Sequence, residues 1–227
     1  MIKGDTTALA SLSGPIEVRL TAELPSKATF EVLIRPLSHV PGTESKSLAS
    51  NIRSSLEPSL ILTKNPRTLV QLVIQSLSPL CADNWNTTLA ASMINASTLA
   101  FLNASSVPMR AAVAAVAVSR TCQGALVVDP SDEELEESKG LGCFAFTFGG
   151  GIDSSESNSE CVWASWRSMS GNNNEELLEA QRLAKKGAEE VFKCMKQTFS
   201  RKQLVDVDME KAGDEDKDKS DEEEMVE

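Results

Sequence analysis

The chain opens with two stretches of period-two alternation. In residues 6–20 Ile16, Val18 and Leu20 alternate with other side chains, and in residues 28–37 Phe30, Val32 and Ile34 do the same. Pro25 and Ser26 supply a turn between them, so an antiparallel pair of strands is predicted. A polar loop, residues 41–47, leads to a helix from Ser50 or Asn51 to about Leu62. Its apolar positions Ile52, Leu56, Leu60 and Ile61 share a face, and Pro58 is set to kink or divide it. Residues 67–77 have the length of a helix. Their β-branched content and the alternation Val70, Leu72, Ile74 predict a strand instead.

The pattern then changes most sharply. Residues 84–119 carry one ionisable side chain, Arg110, at a Pro-containing turn. Before the turn, Leu89, Met93, Ala96 and Ala100 form one helical row and Ala90, Ile94, Ser97 and Phe101 the next. A solvent-facing helix keeps a polar face; this one lacks it and should be buried on most sides. After the turn, the alanines and valines of residues 111–119 read as a strand. Residues 124–130 are a short strand ended by Pro130, residues 131–138 are acidic, and residues 142–148 and 160–168 flank a Gly/Ser/Asn-rich loop as a hairpin. A helix runs from about Glu175 to Lys202, with the stripe Leu177, Leu178, Gln181, Ala184, Ala188, Val191, Phe192, Met195 and Phe199. From Val205 on, high charge and low hydrophobicity predict disorder. The expected organisation is one mixed α/β domain, residues 1–204, with helices covering a sheet, and a disordered acidic tail, residues 205–227.

Composition adjusts this picture in a few places. Of the net charge of −11, the tail from Asp206 holds twelve acids and three lysines, so the domain is near neutral and lacks the basic excess of a free-standing nucleic-acid binder. The five cysteines, Cys81, Cys122, Cys143, Cys161 and Cys194, fit no CxxC pattern and are expected as reduced thiols. No segment reads as membrane-spanning. The sequons at Asn86, Asn95 and Asn103 fall in or beside the buried helix, where they are expected to serve as helix-compatible polar residues.

Little chemistry is on offer. His39 is the single histidine, in the loop after the second strand, and histidine-dependent nucleophilic catalysis and His/Cys metal sites lack their residues. The run Gly149, Gly150, Gly151 matches neither GxGxxG nor a P-loop. Asp129 at a strand end, followed by Asp132, Glu133, Glu134, Glu136 and Glu137, has the acids for a magnesium site or a general acid; a solvated acidic turn is the plainer alternative.

Several short motifs then fall in a telling order: Gly4-Asp5-Thr6, Leu12-Ser-Gly-Pro-Ile-Glu-Val18-Arg19, Leu56-Glu57-Pro58, Pro66-Arg67-Thr68, Val107-Pro108-Met109-Arg110 and Leu126-Val127-Val128-Asp129-Pro130. Together they resemble the RNase PH family, and most of all the small single-domain ring subunits of the eukaryotic RNA exosome. That resemblance implies a fold like the second domain of ribosomal protein S5. It also implies an N-terminal segment with two further strands, which this sequence lacks before Gly4. Active family members cleave RNA from the 3′ end with phosphate, held by a G-[GS]-[TS]-R clamp at the start of the central helix. Here Thr87, Thr88, Leu89 and Ala90 occupy those positions, and no arginine lies between Arg67 and Arg110. The family's second acid, about six residues after the first, falls on Leu135 if Asp129 is the first.

The expectation is a non-catalytic subunit without cofactor or metal. It would sit in a hexameric ring beside other RNase PH-like subunits, under S1/KH-type caps, and support rRNA maturation and mRNA turnover in nucleus, nucleolus and cytoplasm. The competing expectation is an active 3′–5′ exoribonuclease using Asp129 and its neighbouring acids. RNA contact is expected to be weak, through Arg53, Arg67 and Arg110 on phosphates. Arg67 and Arg110 could equally cap turns or pair with acids.

Overall fold

A computed structural model describes residues 6–37, 40–78, 87–149, 159–168 and 174–224; for Asp132, Glu136 and residues 201–224 only the backbone is described. His39, Cys81, Asn86 and the loop 150–158 lie outside these residues. The chain divides into two compact units, Met1–Val191 and Phe192–Glu227.

The first sheet is built from β1 (Ala8–Glu17), β2 (Thr29–Arg35) and β3 (Thr68–Ser76) in the order β1-β3-β2. The expected pairing of the first two strands does not form. Both flank β3, β1 antiparallel and β2 parallel to it. The cause is the character of β3, whose Val70, Leu72 and Ile74 are fully buried, so the most apolar strand takes the centre. A parallel β2–β3 pair needs a crossover, and α1 (Thr43–Leu56) supplies it. That helix starts at Thr43, inside the expected polar loop. No Pro or Gly interrupts residues 43–56, and Glu44 in the first turn suits the helix dipole. It stops at Leu56, and Pro58 lies in a separate 3-10 turn, Glu57–Ser59.

Gly14 creates a bulge in β1. The pairing register with β3 shifts between Ser13 and Ile16, and the Gly14–Pro15 peptide is cis. A Cβ on Gly14, whose φ is +136°, would stand 2.7 Å from the Leu69 carbonyl oxygen. Only glycine fits there.

The second sheet has the order β5-β4-β6-β7, all antiparallel, from β4 (Ala112–Arg120), β5 (Leu126–Val128), β6 (Gly140–Phe148) and β7 (Ser159–Ser168). Between the two sheets runs α2 (Thr87–Ala104), touching β1, β3, β4 and β6. The expected single covered sheet is thus two sheets sharing one core. Phe30 of β2 meets Phe101 of α2 edge to face, with ring centroids 5.9 Å apart. From Thr87 to Leu102 no residue of α2 is exposed, as its uncharged sequence requires.

Strand β5 pairs with β4 only at Val118, Ser119 and Arg120, leaving the rest of that β4 edge without a strand. Side chains from α2 fill the gap. Asn95 donates from Nδ2 to the Ala115 carbonyl at 2.9 Å and accepts the Ala115 N–H at 2.8 Å; Thr98 donates to the Val113 carbonyl at 2.8 Å. The Asp129 N–H reaches the Ala117 carbonyl at 2.9 Å. Buried backbone polar groups demand partners, and here helix side chains take the place of a neighbouring strand. The Asn95 sequon is accounted for by this contact.

The helix α4 (Asn174–Glu224) continues past Val205, where disorder is expected, and through the expected domain boundary at residue 204. Helix formers such as Met209, Glu210, Lys211 and Ala212 are compatible with that continuation. In the first unit its buried row is Glu176, Ala180, Ala184 and Ala188, and Leu178 faces solvent, contrary to the expected stripe. Gly187 lies against Val116 and Val128, where a Cβ would stand 2.9 Å from a Val128 methyl, so small residues bring α4 close to the sheet. Glu176, almost fully buried, is paired by Arg120 Nη1 at 2.5 Å. Neither carboxylate oxygen of Glu176 meets hydrogen-bond geometry, so this contact is electrostatic before it is directional.

Candidate functional site

The contacts between α2 and β4 set where the expected site lies. Asn95 is level with Ala115 and Thr98 with Val113, so the helix and strand run antiparallel side by side. From Asn95 back to Thr87 the helix advances about 12 Å. From Ala115 forward to Ser119 the strand advances about 13 Å. The N-terminus of α2 is therefore level with the end of β4, where Asp129 holds the Ala117 carbonyl. Tertiary structure brings together the two halves of the site that the sequence places some forty residues apart.

Its chemistry is sparse. Leu89 and Ala90 belong to the apolar core, so the side chains at two of the four clamp positions offer an anion no polar group. The Thr88 carbonyl accepts the Ser92 hydroxyl at 3.0 Å. Thr87 Oγ1 is buried and has no hydrogen-bond partner among the described residues, and neither has Ser119 Oγ at the end of β4. Ser119 was not among the expected site residues; its signal was a lone hydroxyl closing a run of alanines and valines. No Lys or Arg occurs in residues 87–109, so the helix dipole is the only positive contribution from this segment.

The acids do not form a pair among the described side chains. Asp129 is half-buried in the left-handed region at φ 53°, a conformation Asp tolerates. Leu135, at the second-acid position, is buried. The acidic segment is a short helix, α3 (Asp132–Glu136), and its Glu134 closes a capping box: Oε2 accepts the Ser131 N–H at 3.0 Å, and Ser131 Oγ accepts the Glu134 N–H at 3.5 Å. Glu133 and Glu137 point to solvent. Among the described residues no three His, Cys, Asp or Glu side chains gather as metal ligands, and no described helix is long and apolar enough to cross a membrane.

The three arginines stand elsewhere. Arg67 immediately precedes β3, Arg110 precedes β4 and Arg53 lies in the last turn of α1, all at the end of the fold opposite the start of α2. Arg53 Nε is 3.6 Å from Glu57 Oε2 and Arg67 Nε is 3.3 Å from Glu23 Oε1. Arg110 is exposed, and its backbone N–H donates to the Ser59 carbonyl at 2.7 Å. The three stand at one end of the fold, away from the start of α2.

Comparison with known proteins bears on the fold and the family. Residues 3–106 match the RNase PH family, described as the 3′ exoribonuclease family, domain 1. The chain is 38% identical over 102 residues to the exosome complex component rrp46 of Schizosaccharomyces pombe, covering 45% of this chain and 43% of that protein. It is 32% identical over 150 residues to the exosome complex exonuclease RRP46 homolog of Arabidopsis thaliana, covering 63% and 56%. The aligned part thus spans about half the length of these relatives. The crystal structure of rice (Oryza sativa) Rrp46 superposes with a TM-score of 0.72 at 20% identity, over 87% of this chain and 85% of that one.

Proposed function

We propose, from the premise that this chain has the RNase PH-like fold, that it is a structural subunit of an exosome ring and is itself catalytically inert. The observation that carries the second half is the start of α2. Two of its four clamp positions are core residues, residues 87–109 contain no Lys or Arg to stand in for the missing arginine, and a buried Leu135 occupies the place of the second acid. Phosphate bound there would lose its bidentate guanidinium contact. A phosphorolytic step needs the anion held in line with the scissile bond, and these residues cannot hold it.

In this reading the chain sits among other RNase PH-like subunits in a hexameric ring, with S1/KH-type subunits above it. It supports 3′–5′ RNA processing and degradation in the nucleus, nucleolus and cytoplasm. RNA would pass the neutral end of α2 and be gripped only weakly. The functional domain would be residues 1–204, with residues 205–227 as an accessory tail.

The second reading, an active 3′–5′ exoribonuclease, draws on the exonuclease name of the Arabidopsis relative and on the half-buried Asp129. The deciding experiment supplies labelled RNA with phosphate, or with magnesium, to the assembled complex. Complexes with the parent chain and with Asp129→Asn are expected to release product at equal rates. A loss of nucleoside diphosphate or monophosphate release on that substitution makes the chain an enzyme.

A further inference from the structure

The cations of the first unit are not evenly spread. Arg19, Lys27, Arg53, Lys64, Arg67 and Arg110 stand at the end of the first sheet where β2 and β3 begin. Contacts tie their segments together. Glu17 pairs with Thr68 across β1 and β3. The Arg67 N–H donates to the Leu24 carbonyl at 3.2 Å, that of Ala28 to Leu62 at 2.9 Å and that of Arg110 to Ser59 at 2.7 Å. Among the described residues of these segments only Glu17, Glu23 and Glu57 oppose them. Glu57 is shared, 2.8 Å from Lys27 Nζ and 3.6 Å from Arg53 Nε, while Glu23 holds Arg67. Arg19, Lys64 and Arg110 have no ion-pair partner among the described residues, so the pole keeps a positive excess.

The same end leaves apolar side chains in water. Leu20 is 88% exposed, Ile16 46% and Leu24 36%. Leu20 follows Arg19 in the 3-10 turn Leu20–Ala22, and Leu24 follows the Glu23 that pairs with Arg67. An apolar spot bounded by cations is complementary to a surface of the opposite arrangement, apolar side chains bounded by carboxylates. Burying Leu20 and its neighbours drives association, and the charged rim selects the partner and its register. A nucleic acid fits less well. Glu23 and Glu57 would repel a continuous phosphate backbone, and the aromatic ring of these segments, Phe30, is buried and offers no base a stacking face.

We propose that this pole is a docking surface for a protein segment carrying Asp or Glu around one or two apolar side chains. The pole lies away from the start of α2, and the proposal does not depend on the ring reading. A random peptide library selected on the immobilised full chain tests it. Enriched sequences are expected to carry acids around Leu, Ile, Phe or Trp. A synthetic peptide of the enriched sequence should bind Arg110→Glu and Leu20→Ser each about tenfold more weakly than the parent chain, and its binding should fall as salt rises. Both side chains are exposed, so circular dichroism and melting temperature should stay at parent values and exclude misfolding. Absence of enrichment, enrichment without acids, or equal binding to both variants overturns the proposal. So does tighter binding of an oligouridylate of matched charge that Arg110→Glu weakens and Leu20→Ser leaves unchanged, since the pole would then be a nucleic-acid surface.

Discussion

Replacing Asn95 by Leu tests the idea that α2 stands in for a strand along β4. The side chains share the same branched heavy-atom skeleton, so the site keeps its shape, but both hydrogen bonds to Ala115 are lost. Ala115 is buried, and its N–H and carbonyl would then lack partners on that side. Leaving one buried backbone group unsatisfied costs about 1–3 kcal/mol, so losing both should destabilise by roughly 3 kcal/mol. Thr98→Val removes a single contact, to a carbonyl, and should cost about 1 kcal/mol. Asn95→Asp retains an acceptor for the Ala115 N–H but sets a carboxylate against the Ala115 carbonyl, so it should be no milder than Leu. With a urea m-value of about 2 kcal/mol/M, the unfolding midpoint followed by circular dichroism should fall by about 1.5 M for Asn95→Leu and about 0.5 M for Thr98→Val. Equal shifts for these two variants would refute the reasoning, because the cost would then not follow the number of backbone groups left bare.

Other predictions follow from the same geometry. Arg120→Ala should lower stability by about 2–3 kcal/mol, less than the fully buried case because Arg120 is partly exposed, and a double-mutant cycle with Glu176→Gln should return much of the loss. Gly14→Ala should cost about 2–5 kcal/mol, combining positive-φ strain and overpacking against Leu69; Gly42→Ala, with open space around it, serves as the control in thermal melts. Burial pushes the Cys143 thiol from its ordinary 9.0 up to about 12. Between those values the unfolded chain has lost that proton and the folded chain keeps it, so stability is full below about pH 9 and falls by about 1.4 kcal/mol per pH unit above it. Alkylation at pH 8 read by mass spectrometry should therefore mark the exposed Cys122 and Cys194 and spare Cys143 until the protein unfolds.

Local pattern was a sound guide where one interaction dominates. The uncharged helix of residues 87–104 had to be buried, since it presents no polar face, and the alternation of Val70, Leu72 and Ile74 had to be a strand buried on one side. The lack of any Lys or Arg in residues 87–109 was equally legible, because a missing residue type needs no coordinates. Pairing was not legible in this way. Whether β1 meets β2 or β3 depends on which strand is apolar enough to lie between two others, a competition that no single segment reveals. The same holds for Glu176, which reads as an ordinary first-turn acid until Arg120 is found across from it.

By itself, then, the sequence determined the elements, their apolar faces and the poverty of the chemistry, because periodicity and residue type act within a few turns of chain. Tertiary structure alone decided that α2 lies between two sheets, that Asn95 and Thr98 complete the edge of β4, and that Asp129, Ser119 and Thr87 lie toward one end while six cations stand toward the other. Those outcomes rest on contacts between segments tens of residues apart. Backbone hydrogen bonds and buried charges accept whichever partner the packing brings within reach.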